Sequence, residues 1–222
     1  MITLAAVALA LGGPIALIGL VRRFDVDTLS WVVRLSFWAI GAMVLALLAV
    51  ELGVTDNLRL VGFSYPSFAS VFWGVGGAAT IIIVTGLSAM IQRTLGLPIG
   101  DKEGYERIAA LPFARRLFVV VTASFVEEFL YRGVGIGIGS VLVTGSSIAI
   151  MISIAAFVAA HFRWQPMHLV QITVAACVLS GLYVLTNGDL WACILAHLIV
   201  DGIAFLLMPA LFKLKSMRTK VG

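Results

Sequence analysis

The chain is built from long apolar runs separated by short polar stretches. A run of about 20 apolar residues is the length that crosses a bilayer as a helix. Seven such runs can be read, over roughly residues 2–21, 31–53, 70–91, 117–138, 141–160, 168–186 and 190–212. Gly133, Gly135, Gly137 and Gly139 alternate between the fourth and fifth. That stretch reads as a break, a re-entrant piece or an eighth short helix, so the expected fold is an all-α, polytopic transmembrane bundle of seven or eight spans. The glycines follow no strand and do not fit the GxGxxG dinucleotide pattern; close helix packing explains them better. No internal repeat or low-complexity linker interrupts the chain, and residues 1–222 are expected to form a single membrane domain.

Composition supports this reading. Of 222 residues, 61% are hydrophobic and 12% charged, with mean hydropathy +1.10. Soluble domains carry roughly 25% charged residues, and half that supply cannot cover a water-soluble globule of this size. A soluble enzyme, a disordered protein and a disulfide scaffold are excluded. The two cysteines, Cys177 and Cys193, lie inside apolar runs and carry no redox signal. The first run lacks a basic leading segment and is followed by Arg22 and Arg23, which marks a retained helix rather than a signal peptide.

The excess of 15 basic over 11 acidic residues matters through its placement. With the N-terminus outside, the inner loops hold 13 of the 15 basic residues, Arg34 and Lys215 among them; the outer loops hold only Arg59, and Arg132 falls within a span. Trp31 and Trp164 lie near the inner boundary, Trp73 and Trp191 near the outer. The positive-inside rule and the aromatic belt therefore predict a multi-pass protein of the cell membrane, its N-terminus outside and its C-terminus cytoplasmic.

Candidate chemistry is confined to the later spans. They contain Glu127, Glu128, Arg132, His197 and Asp201, while His161 and His168 bracket the loop holding Arg163. An ionisable group inside a bilayer costs a few kcal/mol and needs a partner or a wet cavity. Glu128 and Arg132 are four apart with the acid N-terminal, the favourable order for an ion pair on one helical face. Glu127 is left about 100° round the helix with no local cation, which suits a general base or acid. His197 and Asp201 share a face of the last span, and either glue between helices or chemistry explains them. Two carboxylates, two histidines and an Asp in three spans of one small bundle can activate water. For these groups to meet, helices must tilt, or the cytoplasmic side must open as a wet funnel reaching Glu127.

Three segments resemble motifs of the CAAX-protease and bacteriocin-processing family, the Abi-like glutamic intramembrane proteases. Glu127-Glu128-Phe129-Leu130-Tyr131-Arg132 is similar to its EExxxR motif, Phe157-Val158-Ala159-Ala160-His161 to FxxxH, and His197-Leu198-Ile199-Val200-Asp201 to HxxxN. The resemblance covers roughly residues 115–210, a protease-like core, and leaves the spans of 1–114 unassigned. It implies an all-helical intramembrane endopeptidase without metal or other cofactor, in which Glu127 and His161 activate the attacking water. It makes Glu128 and Arg132 supporting residues and gives His197 and Asp201 the oxyanion site. Asp201 departs from the motif. An Asn amide donates to an oxyanion, whereas an ionised carboxylate only accepts. Asp201 is therefore either protonated or a residue that orients His197.

The expected function is cleavage of a membrane-anchored or lipidated protein or peptide. Three alternatives remain: a non-catalytic immunity or chaperone-like membrane protein, a zinc protease using His161, His197 and a carboxylate, and a proton-coupled carrier. The zinc reading lacks an HExxH motif, and the carrier reading lacks inverted halves or paired discontinuous helices. No nucleic-acid partner is expected.

Overall fold

The computed structural model describes residues 1–143 and 146–210, and among them every regular element is helical. The elements are α1 (Ile2–Arg23), α2 (Trp31–Leu52), α3 (Val54–Leu60), α4 (Phe68–Thr94), α5 (Lys102–Ala109), α6 (Phe113–Thr122), α7 (Gly139–Leu142), α8 (Ser146–Ala160), α9 (Pro166–Leu185) and α10 (Leu190–Gly202). Between α6 and α7 the chain stays helical through π-helical stretches at Ala123–Glu127 and Phe129–Ile138, so residues 113–142 form one rod. A third π-helical stretch, Ile203–Leu207, prolongs α10.

Among the described residues five helices are long and apolar enough to cross a membrane: α1, α2, α4, α9 and the prolonged α10, Leu190–Ala210. Helix α8 is apolar but shorter, with 15 residues. Two short helices fall in stretches read as loops. The last basic residues on which the predicted orientation drew, Lys213, Lys215, Arg218 and Lys220, lie outside the described residues.

The alternating glycines do not break the helix. Gly133 to Gly139 all sit inside the 113–142 rod. A Cβ on Gly133 would lie 3.0 Å from the Val61 carbonyl oxygen, and one on Gly137 would lie 2.6 Å from the Tyr183 hydroxyl and 2.7 Å from the Leu60 carbonyl. Glycine is needed there because the backbone that ends α3 and the Tyr183 side chain of α9 rest directly on the rod. Gly62, at φ 87°, and Gly188, at φ 86°, bring two loops into contact at the same end, where the Leu190 N–H donates to the Gly62 carbonyl at 3.2 Å.

The rod is the centre of the molecule. Glu128, Leu130, Tyr131, Arg132 and Val134 are all at most 1% exposed. Helices α1, α2, α8, α9 and α10 pack round it, and α4 packs on α9 and α10. Gly74 and Gly77 let α4 approach Leu195 and Ala196 closely. The outer faces carry exposed Leu35, Phe72, Ile83, Met90 and Val170, the apolar coat that a bilayer requires.

Candidate active site

A cavity of about 450 Å³ runs from the loops that follow α1, α4 and α8 down to the rod. Asp101, Glu103, Arg107 and Arg163 line it toward the mouth; Glu127, Tyr131, Phe157, His161, His197 and Asp201 line it within. Of the two arrangements expected, tilted helices or a funnel, the structure has a cavity that reaches Glu127. Asp27 latches the mouth by accepting from Arg107 at 3.1 Å and Arg115 at 3.2 Å. Asp101 caps α5 at the Gly104 N–H and accepts from the Gln165 N–H at 3.1 Å.

Helix α8 leads directly into His161. Fifteen residues span about 22 Å, short of the ~30 Å hydrocarbon core. His161 follows the helix directly and lines the inner cavity, although Arg163 comes two residues later. His161 Nδ1 lies 2.7 Å from the Phe157 carbonyl oxygen. A carbonyl can only accept, so Nδ1 carries the proton, and in the neutral ring Nε2 is left as an acceptor. Nε2 faces Glu127 Oε2 at 3.9 Å. The two are too far apart to bond directly and close enough to hold one water between them.

Glu128 faces a different set of partners. Its Oε1 accepts from Arg132 at 2.9 Å and lies 2.7 Å from His197 Nδ1. Arg132 also donates to the Ala176 carbonyl at 3.2 Å and stacks over Phe157, 4.6 Å from the ring centroid. The other His197 nitrogen, Nε2, lies 3.5 Å from Asp201 Oδ2. The residues thus form a continuous line, Arg132, Glu128, His197 and Asp201, and only its last two members reach the cavity. His168 lies apart, bonded to Gln171 at 3.2 Å on the α9 wall.

Sequence reasoning missed two residues that line this cavity, Arg34 and Tyr131. Arg34 was assigned to an inner loop; it stands in the first turn of α2, inside the predicted span 31–53, and that position was the signal. Tyr131 is one of the unspecified positions of EExxxR, and its hydroxyl is buried without a partner. Among the described residues no group of three or more His, Cys, Asp or Glu side chains is placed to hold a metal ion.

Residues 109–203 match the family model described as Type II CAAX prenyl endopeptidase Rce1-like. That segment is Rce1-like. It runs from the end of α5 through α10, so it contains the rod, the 3.9 Å pair and the Glu128 line. Helices α1 to α4 lie outside it. No curated protein and no solved structure matches the chain. The apolar helices and the Rce1-like segment support a multi-pass membrane protein.

Proposed function

We propose that the chain is an intramembrane endopeptidase that cleaves a membrane-anchored or lipidated substrate at the inner end of the cavity. The observation that carries this reading is the meeting of Glu127 and His161 at 3.9 Å on the cavity wall. A water held by both is a nucleophile. Glu127 takes its proton as the oxygen adds to the scissile carbonyl, and His161 orients it through Nε2. Glu127 then returns the proton to the departing amine. Glu128 and Arg132 hold His197 in place, and His197 and Asp201 form the facing wall. No step calls on a metal, and a zinc mechanism has less support because His161 and His197 face different carboxylates.

We count the 113–142 rod and α8 as two further spans, seven in all. The cavity mouth then opens to the cytoplasm, on the side where the basic loops gather. Helices α1, α2 and α4, outside the Rce1-like segment, complete the wall of the cavity in one membrane domain.

The test is turnover in lipid nanodiscs with a panel of membrane-tethered peptides, including prenylated CAAX peptides. The parent is expected to cleave at least one, and Glu127→Gln none at equal folded yield, because Gln keeps the shape without the proton cycle. Near-normal turnover by Glu127→Gln would overturn the glutamate mechanism. A folded parent inert on the whole panel would favour the binding-only, immunity-like reading.

A further inference from the structure

When water adds to a carbonyl, the oxygen becomes an oxyanion and needs a hydrogen-bond donor. The residues of the Rce1-like segment supply few. His197 turns both ring nitrogens toward carboxylates, at 2.7 Å and 3.5 Å. Ionised Asp201 only accepts, and His161 spends its N–H on the Phe157 carbonyl. Arg132 is sealed away on Glu128 and Ala176; Arg163, also without a partner among the described residues, is exposed, and Arg107, just before the segment, is held by Asp27.

Arg34 of α2 is different. It lines the cavity, and its side chain makes no hydrogen bond or ion pair among the described residues. Its Nε is buried without a partner, and its guanidinium leans on Phe37, 5.7 Å from the ring centroid. The carboxylates whose charge reaches it are Glu127, Asp201 and Asp27. Among the described residues no ion pair joins it to Glu127 or Asp201, the two that line the cavity. An intramembrane guanidinium unpaired at rest marks a place where a ligand supplies the partner.

Resting on the protease reading, we infer that Arg34 is a further catalytic residue, whose guanidinium binds the oxyanion formed when water adds to the scissile carbonyl. The water oxygen bonds to carbon, the carbonyl electron pair moves onto oxygen facing Arg34, and the water proton passes to Glu127. The pair then returns, the C–N bond breaks, and the amine leaves with that proton. The donor thus comes from a helix outside the Rce1-like segment, beside a motif in which Asp201 replaces an amide.

The experiment measures binding rather than turnover. A prenylated CAAX tetrapeptide carrying a phosphonate in place of its first peptide group is titrated into the full chain in nanodiscs, against the unmodified prenylated peptide. The Glu127→Gln background keeps that peptide intact. Preference for the anionic probe is expected, and Arg34→Gln should lower it by about 10²- to 10³-fold while ordinary peptide binding is unchanged. Arg34→Lys, which keeps the charge without the fork, should fall between and guards against a folding defect in the Gln variant. Equal preference in the parent and both Arg34 variants would overturn the Arg34 role and leave the protease reading standing. Loss on Tyr131→Phe instead would give the donor to that phenol and also overturn it. A parent with no preference for the phosphonate would overturn both.

Discussion

One oxygen of Glu128 serves two partners, Arg132 at 2.9 Å and His197 at 2.7 Å, with all three side chains deep in the bundle. Removing one member of a buried pair leaves an unpaired charge and costs on the order of 3–5 kcal/mol. Glu128→Gln and Arg132→Ala should therefore both lower the midpoint of thermal denaturation in detergent. Glu128→Leu combined with Arg132→Met should recover part of that loss; a double variant no more stable than its singles would show that the pair is not what holds the rod. Asp201→Asn should keep turnover, because an amide still accepts from His197 or donates in its place; a dead Asn variant of normal stability would make the carboxylate charge itself essential. At this scale the sequence was informative where spacing carries geometry. A Glu and an Arg four apart on one helix must meet, and they do. What spacing could not reveal was His197 joining them, since that contact spans 69 positions along the chain. Arg34 was hidden by the rule that places basic residues in loops, although the same apolar run that defines the span also contains it.

Helices predicted from apolar runs were legible to within a few residues at α1, α2, α4 and α9, because each must satisfy its own backbone inside lipid. The rod was harder to read. Its i→i+5 turns leave no 3.6-residue signature in the sequence, and glycines that usually interrupt a helix are here contact points. Gly137→Ala is the direct check. The added methyl would lie 2.6 Å from the Tyr183 hydroxyl and 2.7 Å from the Leu60 carbonyl, and relieving such overpacking costs about 1–3 kcal/mol. Gly12→Ala and Gly76→Ala meet nothing within 4 Å, so they should be neutral or slightly stabilising. Thermal denaturation of the three variants should separate them; equal midpoints would mean that α3 and α9 do not rest on the rod as closely as described. The end of α8 carries the larger consequence for function. The helix ends at Ala160, and the next residue, His161, comes within 3.9 Å of Glu127 on the cavity wall.

The direction in which the whole molecule faces decides which substrates can reach the cavity. The mouth lies at the end formed by the loops after α1, α4 and α8, and Arg107, Arg115 and Arg163 gather there. The opposite end carries the contact between Gly62 and Gly188, with Arg59 nearby on α3. Basic residues are retained on the cytoplasmic side during insertion, so the mouth should face inward. Two reporters test this across one helix, because Tyr65 precedes α4 and Lys102 follows it. Its 27 residues separate the two ends by about 40 Å. Tyr65 is 97% exposed and the Lys102 side chain 85%, so a cysteine at either position should be reachable by reagent. Both native cysteines must first be replaced, since Cys177 is exposed on α9. In intact cells a membrane-impermeant maleimide should then label Tyr65→Cys and spare Lys102→Cys; opening the membrane should expose the second site. The reverse pattern would point the cavity outward. Lipidated cytoplasmic proteins would then be out of reach, and the substrate would have to be sought among segments presented at the outer surface.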